Sequence, residues 1–317
     1  MNHRAGSASE HKLYFSEKTM AFRFPPTLCR IVAPVGLLLT IWPPVPADAQ
    51  SLPPVTVRQD VPYRRVTDNR RLTSLDIHSP TGRTRCPVIV FIHGGGWQTG
   101  DKRSAARGKS TAFPRQGYVF VSINYRLAPA VKHPVLVQDC ARAIAWVRNH
   151  IGSYGGDPDN IFVMGHSAGA HLAALVSTDD RYLRAEGLTL KNLRGTILLD
   201  GGSYDMTPTG VKSPTKDISI TRTFGEDQSV WKEASPVYNV SPGKDIPPFL
   251  IFYVASRTDS GSQSRQLGET LKAAGVRAEV RPAYRKTHGT LNRDLGRPGD
   301  PPTEAVYAFL REAVVKS

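Results

Sequence analysis

A serine, an aspartate and a histidine follow one another along this chain in an order that acyl-transfer chemistry can use. Ser167 lies in Gly165-His166-Ser167-Ala168-Gly169, between a short apolar run from Phe162 and a run of helix formers continuing to Val176. A serine hydroxyl is a weak nucleophile until a base can take its proton and a turn holds it clear of the backbone. Strand, Gly-x-Ser-x-Gly and helix in direct succession build such a turn, because glycines at the flanking positions let strand and helix pack around a strained serine. The helix that starts there turns its free amides and dipole toward any negative charge that forms. By itself the pentapeptide equally describes an ordinary tight turn, so the chemistry depends on partners elsewhere.

The partners can be sought at the carboxyl ends of the strands, where sites of parallel sheets lie. Of the seven histidines beyond residue 49, His288 alone falls in a loop after the last strand and before the last helix. Asp259 follows the apolar strand that ends at Ala255. The order Ser167, Asp259, His288 is that of nucleophile, acid and base when the nucleophile sits on an elbow. His93-Gly94-Gly95-Gly96 follows the preceding buried strand, where glycine amides, with that of Ala168, can face a developing oxyanion. His93 is expected to brace the glycine loop, and His166 and His171 to flank the elbow as buried or half-exposed rings. Asp101, Arg126 and Asp157 are expected to fix loops. Trp97 either lines a substrate pocket or packs against the loop; His166 is a second pocket candidate. The cysteines and histidines lack metal-ligand spacing, and no Gly-Lys-Ser/Thr follows the elbow, so neither a metal nor another cofactor is expected.

The elements that must position these residues alternate. Two strand-like runs, Thr56 to Arg64 and Leu72 to His78, flank Asp68-Asn69 and predict a hairpin. Pro87 to His93 is a continuous apolar run of the kind buried on both faces of a parallel sheet. Thereafter helices around Ser104 to Gln116, Leu136 to Asn149, Ala168 to Ser177, Ser260 to Ala274 and Thr303 to Lys316 interleave with strands. Those strands are Tyr118 to Tyr125, Ile161 to Gly165, Gly195 to Asp200, Pro248 to Ala255 and Ala278 to Ala283. This predicts an α/β chain with one doubly wound, mostly parallel sheet of about eight strands and helices on both faces. Between Gly201 and Ile246 the pattern dissolves into Gly, Pro, Ser and Thr, and this insert is expected to form a cap or mobile wall over the site.

At 317 residues, 40% hydrophobic and 21% charged, the chain has the composition of a packed protein rather than a disordered one. Residues 1–49 are set apart. Arg23 and Arg30 precede an apolar stretch from Ile31 to Trp42, too short to span a bilayer and interrupted by Pro34, and Ala47-Asp48-Ala49 follows. This describes a secretory signal peptide cut after Ala49, with translation starting at Met1 or Met20; an uncleaved anchor is the alternative. Residues 50–317 then form the domain, carrying 36 Lys/Arg against 24 Asp/Glu, and export makes the protein secreted or periplasmic without stable membrane insertion. The basic charge is dispersed and nowhere interleaved with aromatics, so nucleic-acid binding is not expected. Cys86 and Cys140 either pair in an oxidising compartment or stay as buried thiols.

The ordered motifs carry a resemblance. His93 to Trp97 with Gly100-Asp101-Lys102, Asn124-Tyr-Arg-Leu-Ala-Pro129, Gly155-Gly156-Asp157-Pro158, the elbow, and Pro247-Pro248 together resemble an α/β-hydrolase-fold esterase of the hormone-sensitive-lipase and feruloyl-esterase-like group. The resemblance covers nearly all of residues 50–317. It implies Ser167 as nucleophile, Asp259 as acid, His288 as base, the amides of Gly95, Gly96 and Ala168 as oxyanion hole, a small-molecule ester as substrate, and no cofactor. The chain departs from it where the family has His-Gly-x-x-Asp and this sequence reads Ala255-Ser256-Arg257-Thr258-Asp259, which leaves Asp294 and Asp205 as substitutes for the acid. The expected activity is hydrolysis of short-chain, feruloyl or acetyl esters through an acyl-enzyme. An arylformamidase-like amide hydrolase and a non-catalytic binding protein on the same scaffold are the alternatives.

Overall fold

The computed structural model describes residues 53–64, 69–207 and 214–315. The leader reading, with its cleavage after Ala49, and the Asp68 half of the expected hairpin turn lie outside the described residues. Among the described residues eight strands, β1 (Val55–Pro62), β2 (Ser74–Pro80), β3 (Cys86–Ile92), β4 (Val119–Ile123), β5 (Gly156–His166), β6 (Leu193–Leu199), β7 (Phe249–Val254) and β8 (Ala278–Ala283), form one sheet in the order β1-β2-β4-β3-β5-β6-β7-β8. β1 and β2 pair antiparallel, as does β2 with β4, and every pairing from β4 to β8 is parallel. Among the described residues ten helices accompany them: α1 (Lys102–Ala106), α2 (Lys109–Arg115), α3 (Val135–His150), α4 (Ala168–Thr178), α5 (Asp180–Arg184), α6 (Pro214–Phe224), α7 (Gln228–Glu233), α8 (Thr258–Ala273), α9 (His288–Arg293) and α10 (Pro301–Val315). The expected doubly wound sheet is therefore present.

Strand alternation explains why the central strands read as unbroken apolar runs. In β3, Val88, Val90 and Ile92 enter a core shared with α3, α4 and α8, while Ile89 and Phe91 enter a second core with α2 and α10. Successive side chains point to opposite faces, so a strand covered on both sides must be apolar throughout. Cys86 and Cys140 are free, buried thiols within the first of these cores, which decides between the two readings of the pair.

One helix differs from expectation, and the insert carries structure of its own. The single helix over Ser104 to Gln116 is split into α1 and α2 at Gly108, whose φ of +80° interrupts the helical path. The insert after β6 is not featureless: α6, α7 and a 3-10 turn at Pro236–Asn239 form within it. Its apolar patches, Ile220, Phe224 and Val237, are buried against the first core.

Candidate active site

The elbow is built by close approach. Ser167 links β5 to α4 with φ 56° and ψ −123°, outside the regions open to most L-residues, a strain of roughly 1–3 kcal/mol that the packing around it must hold. A methyl at Gly165 would lie 2.1 Å from the Gly169 carbonyl oxygen, and one at Gly169 would lie 2.2 Å from that of Ile92. Glycine at both positions is thus a condition for the turn, and the Ser167 amide is tied to Leu199 O at 3.0 Å.

Ser167 and His288 come together as expected: Ser167 Oγ lies 3.0 Å from His288 Nε2. His288 opens α9 rather than sitting in open loop. Thr287 caps that helix by accepting from the Thr290 amide, and the helix start fixes the ring's direction. From behind, His166 Nε2 donates to the His288 carbonyl at 2.9 Å, with the two rings 4.5 Å apart. Burial, followed by the neighbouring His288, lowers the His166 pKa to about 3, so this ring is a neutral donor. His166 therefore supports the base and is absent from the cavity wall, contrary to its expected pocket role.

The carboxylate against His288 is Asp200, not Asp259. Asp200 Oδ2 lies 2.6 Å from His288 Nδ1. Asp200 follows β6, the strand beside the elbow strand, and its side chain is fully buried. It also accepts from the Val254 amide at 2.9 Å, the Ser260 hydroxyl at 2.7 Å and Arg257 Nη1 at 2.6 Å. Burial alone would raise its pKa, but His288, these hydrogen bonds and the Arg257 charge hold it well below the usual carboxylate range. Asp259 fails to reach His288 because α8 begins at Thr258. The first helical turn carries its side chain outward, 43% exposed, with Oδ2 3.7 Å from Arg257 Nη2. The two substitutes lie elsewhere: Asp294 pairs with Lys286, Arg293 and Arg297, and Asp205 caps the Thr207 amide. Asp200 was legible as the last residue of an expected strand at the correct end of the sheet. Arg257 carried no such signal.

The glycine loop faces the serine. Gly95, Gly96 and Trp97 all have positive φ, at 117°, 59° and 61°. A Cβ at Gly94 would lie 2.9 Å from that of Ser167. His93 is buried, stacked on Tyr125 at 4.5 Å, and its Nδ1 donates to Gly94 O at 2.8 Å, so it braces the loop. Among the described residues the amides of Gly96 and Ala168 donate to no backbone carbonyl, and both residues border the cavity at Ser167. The Gly95 amide likewise donates to no backbone carbonyl among the described residues; its carbonyl accepts from the Gln98 and Thr99 amides, and Gly95 itself does not line that cavity.

That cavity, of about 290 Å3, is lined by Trp97, Gly202, Ser203, Ser219 and Arg257 together with the groups above. Trp97 borders the cavity and is buried. Its indole donates to His171 Nδ1 at 3.3 Å and meets Phe224 of α6 edge-on at 5.2 Å. Ser219 of α6 makes the insert part of the wall. The remaining motif residues are scaffold: Asp101 caps α1, Asn124 Oδ1 accepts from the Lys102 amide at 2.7 Å, Arg126 forks onto buried Asp139, and Asp157 accepts from the Asp159 amide and from Arg85. Among the described residues no three His, Cys, Asp or Glu side chains converge as a metal ion would require, and no helix is long and apolar enough to cross a membrane.

Known proteins resemble this chain in sequence and in fold. The family model described as BD-FAE matches residues 75–271. Esterase LipQ of Mycobacterium tuberculosis is 33% identical over 200 residues, covering 61% of this chain and 47% of that protein, so the chain spans about half the length of this relative. A truncated carbohydrate esterase from gut microbiota superposes with a TM-score of 0.70 at 22% identity, over 84% of this chain and 99% of that one, which shows the α/β-hydrolase fold. Thermogutta terrifontis esterase 2, in a structure phosphonylated by sarin, is 28% identical with a TM-score of 0.62 over 83% of this chain and 94% of that one.

Proposed function

The chain belongs to the BD-FAE family, and from that premise we propose that it hydrolyses carboxylic esters through an acyl-enzyme on Ser167. The observation that carries this reading is the unbroken path from Ser167 Oγ through His288 to buried Asp200, at 3.0 Å and 2.6 Å. His288 Nε2 takes the hydroxyl proton as Ser167 attacks the ester carbonyl, and then returns it to the departing alcohol. Asp200 orients the ring and stabilises it while charged. The amides of Gly96 and Ala168 meet the tetrahedral oxyanion, each worth about 3 kcal/mol in the transition state. Water then enters by the reverse sequence and releases the acid. No step calls for a cofactor.

The cavity supports short acyl groups. Its volume of about 290 Å3 sits at the lower end of small-molecule pockets, and Trp97 supplies an apolar wall beside the Ser203 and Ser219 hydroxyls. Phosphonylation of the T. terrifontis esterase by sarin is in keeping with a nucleophilic mechanism in that relative. Export of residues 50–317 after removal of a leader completes the proposal, and N-terminal sequencing of the mature protein tests it.

The activity is tested by turnover of p-nitrophenyl acetate and butyrate, with Ser167→Ala and His288→Ala as controls. Turnover abolished by both substitutions supports the reading. Preferential cleavage of N-formylkynurenine would favour the amide hydrolase, and no turnover by a folded protein would favour a binding protein.

A further inference from the structure

Behind His288 three polar atoms close on one another. Asp200 Oδ2 lies 2.6 Å from His288 Nδ1 and 2.6 Å from Arg257 Nη1, and the two nitrogens are themselves 2.7 Å apart. A guanidinium offers only donors, whereas a neutral imidazole nitrogen is either donor or acceptor according to the tautomer. When Nδ1 carries the ring proton it donates to Asp200 and confronts a second donor at hydrogen-bond distance. When Nδ1 is bare it accepts from Arg257 Nη1, and the ring proton moves to Nε2, facing Ser167 Oγ. The second arrangement sets a bare Nδ1 against Asp200 Oδ2, a contact that opposes it, while Val254, Ser260 and Arg257 still satisfy the carboxylate and the Arg257 charge offsets the repulsion. Only the first arrangement can accept a proton from Ser167.

We propose that Arg257 is a positioning residue that divides neutral His288 between these two tautomers, holding part of the resting protein in a form unable to deprotonate Ser167. The inference rests on the roles proposed above for Ser167, His288 and Asp200. The neighbouring groups do not decide the tautomer: His166 bonds the backbone carbonyl of His288, and Asp259 lies 3.7 Å from the far nitrogen of the guanidinium. The arginine stands where the resembled family has an unspecified residue between its His-Gly and its aspartate. Here the carboxylate has come from β6 instead, which brings the guanidinium against both Asp200 and His288.

Nitrogen NMR of the 15N-labelled full chain reads the tautomer directly, with the His288 signals assigned by their loss in His288→Gln. At a pH where the ring is neutral, Nδ1 should resonate between the values for a bare and a protonated ring nitrogen. In Arg257→Met, which keeps the aliphatic stem, Nδ1 should move to the protonated value; Arg257→Lys, which retains a cationic donor, should move it less. A wild-type Nδ1 already at the protonated value overturns the proposal without need of any variant, as does a signal unmoved in folded Arg257→Met. If Ser167→Ala retains full turnover, the site itself has been misread, an outcome separate from either NMR result.

Discussion

Asp200 and His288 lie 88 residues apart, and their side chains meet at 2.6 Å on the far side of the imidazole from Ser167. Asp200 has a φ of 45°, so the chain leaves β6 in a turn that aims this carboxylate into the site. Asp259, the acid that motif order favoured, faces outward.

The two aspartates should therefore respond differently to loss of charge. Asp200→Asn removes the carboxylate that favours the productive tautomer and stabilises the charged ring, and should lower kcat by about 10^3- to 10^4-fold. Asp259→Asn should stay within about threefold of the parent, as a surface charge removed a few ångströms from Arg257. Initial rates on p-nitrophenyl acetate decide the matter, and the reverse ranking would restore Asp259 as the acid.

The elbow glycines should be intolerant of a single methyl. Gly165→Ala places a Cβ 2.1 Å from a backbone oxygen that cannot withdraw without breaking the turn. Overpacking of this kind costs about 3 kcal/mol or more. Urea unfolding should show that loss, whereas Gly187→Ala, with open space around it but φ at +75°, should cost only about 1 kcal/mol.

Stability should fall in mild acid. Burial lowers the pKa of His133 to about 4, His166 to about 3 and His171 to about 4. Each folded value lies below that of an unfolded histidine, about 6.5, so the unfolded chain binds protons first as the pH drops. Stability contributed by keeping these rings neutral is present above about pH 6.5 and is lost progressively toward pH 4, with a limiting slope of about 1.4 kcal/mol per pH unit for each ring. Asp200, with a depressed pKa, extends the same trend below about pH 4. Urea midpoints measured from pH 7.5 to 4.5 should decline; a flat profile would contradict the burial of these rings.

Chain-length preference should depend on α6. A Cβ at Gly96 would stand 3.9 Å from Ser219 Oγ, so a larger side chain at 219 projects into the space beside the nucleophile. Ser219→Phe should reduce kcat/KM for butyrate or hexanoate esters by about tenfold relative to acetate, a steric discrimination of roughly 1.4 kcal/mol, with little change in thermal stability. Equal losses across the series would place the acyl group elsewhere.

Local information determined a great deal here. The apolar runs at 88–92 and 161–164 are double-faced because both sides of the sheet are covered, and that composition can be read along the chain. Glycines 165 and 169 report a close approach between neighbouring segments, which is why the elbow, and His288 beyond the last strand, were legible without coordinates. What only the tertiary structure decided was the identity of the third group. Asp200 and Asp259 both follow strands at the same end of the sheet, and sequence order does not say which is turned inward. The start of α8 at Thr258 rotates one outward, while the turn after β6 and the donors Val254, Ser260 and Arg257 hold the other beneath the imidazole. Direction of a side chain is a property of backbone angles and of the partners that fix them, and those partners are 54 to 60 residues away along the chain.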